Sequence, residues 1–173
     1  MIEVSYGEAR LQNRYHLDTN YLLEFLESFL PRRKSPEQAD FASEAVHSLG
    51  SKGFEICVSD TVIGETVNVI ITKKYPIHLN DFVNLIQKKQ LKIVHVTEDE
   101  FRHFARILIE VRKADRELET NDVRIMAHSM VDRECRGLVT FERKLIESRT
   151  LKEFIATKVR FKKRYSVTDN PNF

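Results

Sequence analysis

The feature that most constrains this chain is a repeated change of apolar period, in which short strand-like runs give way to longer segments with apolar residues three and four positions apart. Arg14 to Thr19, Phe54 to Ser59, Leu91 to Val96 and Leu138 to Thr140 read as strands. Between the first two, Leu22, Leu23, Leu26, Phe29 and Leu30 have helical spacing before Pro31. Ala39, Phe41, Ala42, Ala45, Val46 and Leu49 repeat it after Pro36, with Gly50 and Gly53 as a stop. Ser59 or Asp60 can cap a third helix that runs to about Lys74 and is ended by Pro76, and His78 to Lys89 is a fourth. Thr97 and Glu100 form a capping-box pair ahead of the longest amphipathic helix, which carries Phe101, Phe104, Ala105, Leu108 and Val111. A further helix opens near Thr120 or Asn121 and reaches about Glu134, where Gly137 breaks it, and one more follows Thr140. Such alternation predicts parallel strands joined by helical crossovers: an α/β fold, a three-layer α/β/α sandwich with a central, mainly parallel sheet of four to five strands. Ligands bind beyond the carboxyl ends of strands in that architecture.

The length of 173 residues suits one domain spanning 1–173, with 1–13 and 157–173 as extensions. A content of 42% apolar and 31% charged residues, without a long apolar run, excludes a disordered chain and predicts no membrane span. The start MIEVSYGEARLQNRYH lacks the basic and apolar regions of a signal peptide, so the cytoplasm is the expected location. Cys57 and Cys135 are too few for a disulfide framework and read as packing residues. The six histidines have no zinc-site spacing. A net charge of +2 provides no strong global field, which leaves local clusters as the candidate phosphate contacts. The densest is Lys158, Arg160, Lys162, Lys163 and Arg164, and Arg143-Lys144 is another. Each also suits a solvated helix end.

Four carboxylates interrupt apolar patterns. Asp18 follows Leu17 at a strand end, and Glu142 stands two residues after Thr140 at another. Glu65 is flanked by Val62 and Val69 beside Gly64. Asp122 shares a helix face with Ile125, Met126 and Ser129. Alone, each has an ordinary explanation as a cap, a first-turn acid or a solvated edge. Together they predict a shared cleft, because carboxylates about 5 Å apart repel by roughly 3 kcal/mol at an effective dielectric near 20. Cations must then offset the repulsion, and Mg²⁺ or Mn²⁺ suits an all-oxygen set. Glu119, one turn before Asp122, is a further acidic candidate.

The ordered set LDTN, Glu65 in the helix after the second strand, D-x-x-I-x-A at Asp122, Ile125 and Ala127, and T-x-E at Thr140 and Glu142 resembles the PIN domain, the fold of many VapC-type toxin nucleases. The resemblance covers about residues 13–157. It implies a PIN-like sandwich whose acidic pocket holds Mg²⁺ or Mn²⁺ for endoribonuclease cleavage of RNA. Asp18, Glu65, Asp122 and Glu142 would be the catalytic, metal-binding acids, with Asn20 and Thr140 supporting them. Arg143, Lys144, Lys162, Lys163 and Arg164 would touch RNA. Glu142 stands where the family more often has Asp, and Ser129 where it favours a small apolar residue. The resemblance also implies a possible antitoxin partner and a possible homodimer, for which the apolar faces near residues 20–30 and 36–49 are candidates. Alternatives are a PIN-like RNA- or protein-binding module with weak or no cleavage, a ribosomal RNA processing nuclease, or a related DNA nuclease.

Overall fold

A computed structural model describes residues 13–73, 76–88, 90–158 and 165–171. Five parallel strands form one sheet: β1 (Arg14–Leu17), β2 (Glu55–Ser59), β3 (Lys92–Val94), β4 (Cys135–Val139) and β5 (Ser166–Thr168), in the order β3-β2-β1-β4-β5. The connections are helical. α1 (Thr19–Glu27) and α2 (Pro36–Ser51) join β1 to β2, and α3 (Asp60–Thr72) and α4 (Pro76–Gln87) join β2 to β3. α5 (Glu98–Ala114) and α6 (Thr120–Val131) lead to β4, with α7 (Arg143–Glu147) and α8 (Arg149–Lys158) leading on to β5. Right-handed crossovers require α1 to α4 on one face of this sheet and α5 to α8 on the other, because the order reverses direction at β1. The packing agrees: α1 lies against α2, α3 and α4, and α5 against α6 and α8. The expected three-layer sandwich with a parallel sheet is therefore the observed one.

Local chemistry explains the boundaries. The Thr97/Glu100 capping box is present, with Glu100 accepting from the Thr97 N–H at 3.1 Å. Pro36 opens α2, where a missing N–H costs nothing, and Gly53 turns the chain at φ 80° before β2. Gly50 lies inside α2, so the stop is Gly53 alone. The sixth helix also departs from expectation, since it ends at Val131 and Gly137 sits within β4. Its glycine has a packing cause: a Cβ there would stand 2.6 Å from the Ser166 carbonyl oxygen and 3.2 Å from the Tyr15 ring. Residues 166–168 belong to the sheet as its edge strand, not to an appendage, and Tyr165 just before them hydrogen-bonds Ser129 on α6.

Tyr15, Leu17, Val58, Leu138 and Val139 are fully buried sheet residues, covered by Tyr21, Leu22 and Leu26 of α1 and by Ile125 and Met126 of α6. The apolar faces of α1 and α2 are core: Tyr21, Leu22, Phe25 and Leu26 and, opposite them, Ala39, Ala42, Val46 and Leu49 are all buried. They are not free to form a dimer interface. Cys57 and Cys135 are buried and form no disulfide, in keeping with their reading as packing residues, and Cys135 lies in β4 rather than at a helix end. No described helix is long and apolar enough to cross a membrane.

Candidate functional site

The parallel register brings the first pieces of the site together. Leu17 pairs with Val139, so the next residues, Asp18 and Thr140, emerge side by side past the carboxyl ends of β1 and β4. The Asp18 N–H donates to the Val139 carbonyl at 2.9 Å. The gap between β1 and β4 is the place where strand order reverses, which makes it the expected ligand crevice of an open α/β sheet. Glu65 enters from α3 in one helical layer and Asp122 from the first turn of α6 in the other. Glu142 caps α7 just beyond β4.

Hydrogen bonds hold these groups in place. Asp18 is 4% exposed and accepts from the Thr140 hydroxyl at 2.6 Å and from the Thr19 N–H at 2.6 Å, serving as the N-cap of α1. Thr140, itself fully buried, accepts from the Glu142 N–H at 2.9 Å. The Asn20 side-chain oxygen accepts from the Phe141 N–H at 3.2 Å, binding the loop after β4 to the start of α1. Glu142 accepts from the Lys144 N–H at 3.3 Å. Glu65 receives the Thr19 hydroxyl on one oxygen and the Asn121 amide on the other. Thr19 and Asn121 were not singled out from sequence. Their bonds to Glu65 span 46 and 56 residues, so no local pattern carries them.

Electrostatics separate this site from the carboxylates at the other end of β1. At the amino end of β1, Arg14 meets Glu55 at 2.6 Å and Glu134 at 2.8 Å, and His16 meets Asp132 at 2.9 Å. Those acids have cationic or imidazole partners. Among the described residues, Asp18, Glu65, Asp122 and Glu142 form no ion pair. Burial raises the Asp18 carboxyl, and the charges of Glu65 and Glu142 raise it further against the lowering effect of its two hydrogen bonds. Asp122 is pushed up to about 6, first by burial and then by Asp18, Glu119 and Glu142, while a hydrogen bond from the Glu119 backbone opposes the rise. Asp18 thus lies in the fields of Glu65 and Glu142, and Asp122 in those of Asp18 and Glu142. Glu119 adds to the field from an exposed position at the N-cap of α6.

A divalent cation suits this donor set: carboxylate oxygens converge, two of the acids are forced toward the neutral form, and no Lys or Arg among the described residues pairs with them. The fit is one of chemistry, since no group of three His, Cys, Asp or Glu side chains among the described residues stands ready to hold a metal ion. Protein donors engage the carboxylates instead. Arg143 and Lys144 are exposed at the start of α7 beside Glu142, and Arg143 reaches Asp169 at 3.5 Å. Lys162, Lys163 and Arg164 lie outside the described residues.

Comparison with known proteins follows the same outline. The family model of the PIN domain matches residues 15–149. No curated protein gives a significant match. Among solved structures, a chain of the crystal structure of VapBC2 from Rickettsia felis bound to a DNA fragment from their promoter superposes with a TM-score of 0.56 at 19% identity, covering 79% of this chain and 94% of that one. At that identity the likeness is one of fold.

Proposed function

Because the chain belongs to the PIN-domain family, we propose that it is a divalent-metal-dependent endoribonuclease that hydrolyses RNA phosphodiester bonds at the β1–β4 crevice. The observation that carries this reading is a set of four carboxylates from β1, α3, α6 and the start of α7 that have no cationic partner among the described residues, whereas the buried Asp132 is paired with Arg14 and His16. Asp18, Glu65 and Asp122, with Glu142 at the margin, would hold Mg²⁺ or Mn²⁺. When bound, such an ion lowers the pKa of a water and neutralises charge that develops on the phosphate.

The side chains then have distinct tasks. Thr140 fixes the Asp18 carboxylate through its hydroxyl and, through its other contact, the start of the Glu142 turn. Asn20 keeps the loop after β4 closed on α1, so that acids from both strand ends keep one spacing. Asp122 presents a carboxyl that ionises only near neutrality, and it therefore demands a counter-charge under working conditions. Arg143 and Lys144 can touch the phosphate backbone without reading bases. The fold likeness to a VapBC2 chain supports a toxin role with an antitoxin protein as partner, and the proposed reaction on RNA would take place in the cytoplasm. A homodimer is compatible with this reading but must use a surface other than the buried faces of α1 and α2.

One observation favours a second reading, a PIN-like module that binds RNA or protein with little cleavage: Glu142 is used as a helix cap and no three side chains are set to hold an ion. A single assay separates the two. RNA and matched DNA are incubated with the protein in Mn²⁺ or in chelator, alongside Asp122→Asn. The nuclease reading expects metal-dependent cleavage of RNA that the variant loses while still binding RNA. Unchanged cleavage by the variant would remove the site, and binding with no cleavage by either protein would favour the module.

A further inference from the structure

We propose that Asn121 is a positioning residue for Glu65, acting with Thr19 to aim the Glu65 carboxylate into the acidic crevice; this rests on the metal-dependent reading above. Three helices meet at that one carboxylate. Glu65 belongs to α3, the Thr19 hydroxyl on its Oε2 comes from the first residue of α1, and the Asn121 Nδ2 on its Oε1 comes from the second residue of α6. Glu65 is only half-buried, and a flexible glutamate on a helix surface would otherwise sample several rotamers. With one donor on each oxygen, both torsion and tilt of the carboxylate are specified.

The two bonds also leave it capable of more. Each carboxylate oxygen has two lone-pair sites, so a single donor per oxygen occupies half of the available positions and fixes the direction of the other half. Neither donor carries charge, so the bonds orient Glu65 without neutralising it. That distinguishes it from Glu55, whose carboxylate is held by Arg14 and Lys92 and has its charge matched. Asn121 is also the immediate neighbour of Asp122. A helix that places Asp122 at the crevice by its third residue therefore orients Glu65 by its second, and two acids from opposite helical layers are set by one α6 terminus.

The test is a double-mutant cycle on Mn²⁺ affinity of the full chain, read by calorimetry, using Asn121→Ala, Glu65→Ala and the pair. Partners that orient metal-binding groups typically change affinity by about 10- to 100-fold when removed. Asn121→Ala is expected to weaken Mn²⁺ binding within that range in the wild-type background and to have no further effect once Glu65 is alanine. Asn121→Ser, which retains a donor, should recover part of the loss. Equal losses in both backgrounds, or none in the wild type, would overturn the assignment while leaving the nuclease reading intact. A wild-type protein that takes up no Mn²⁺ and cleaves no RNA would overturn both. Circular dichroism of the metal-free variants shows whether the fold is retained, and Thr19→Val, which removes the other donor on Glu65, provides a second route to the same readout if Asn121→Ala does not fold.

Discussion

Asp122 bears a cost in the metal-free protein that only its site explains. Its carboxyl is raised from the ordinary 3.8 to about 6, so folding favours the protonated form. The sign follows from linkage: the favourable contribution is complete below the unfolded value and is lost as pH rises through about 6. Asp122→Asn should therefore be more thermally stable than wild type at pH 7.5 without metal, and the gap should close as pH falls to about 4. Thermal melts across that range check this, and a gap independent of pH would refute it. The cysteines give a second residue-scale expectation. Burial raises the Cys57 thiol first, and Asp132 raises it further, leaving almost no thiolate at neutral pH. Neither Cys57 nor Cys135 should react with an alkylating reagent in the folded protein, and both should react in denaturant.

At the level of elements, the junction of β4 with its neighbours is the most sensitive part of the fold. Gly137 has no room for a methyl group against the Ser166 carbonyl, and Gly137→Ala should cost about 1–3 kcal/mol by overpacking. Denaturant titration measures this directly, and an undiminished midpoint would mean that β5 shifts freely. Thr140→Val keeps the shape but removes the donor to Asp18 and the acceptor for the Glu142 N–H. About 1–3 kcal/mol of stability should go with them, together with the proposed RNA cleavage. Apolar period makes most of these elements legible: β1, β2, β3 and the amphipathic α5 are evident from the sequence, as is the end of β4, and so is Asp18 at a strand end. Gly137 was misread as a helix stop because glycine marks breaks more often than close approaches, and only the neighbouring strand reveals the difference. β5 has three half-buried residues, Ser166, Val167 and Thr168, too few to establish a period.

For the molecule as a whole, the acidic crevice predicts that metal and stability are linked. An ion that binds only the folded state adds about 2.7 kcal/mol at a hundred times its dissociation constant. Mn²⁺ should therefore raise the melting temperature of wild type and much less that of Asp122→Asn; equal shifts would place the ion elsewhere. The convergence behind this linkage was partly legible. Acids at strand ends and on inward helix faces indicated a shared cleft, but the donors that hold them did not announce themselves. Thr19 looked like a turn residue and Asn121 like a helix start, and their roles exist only once α1, α3 and α6 have met.

Sheet order has one more consequence, and it concerns time. The Thr140 N–H donates to the Thr168 carbonyl at 3.0 Å, and Tyr21 beside the crevice reaches the Asp169 carbonyl at 3.2 Å. A pocket begun at Asp18 is thus braced by Thr168 and Asp169, far along the chain from it. The proposed nuclease would, by this arrangement, be armed only once synthesis of the chain has passed β5 and that strand has joined the sheet.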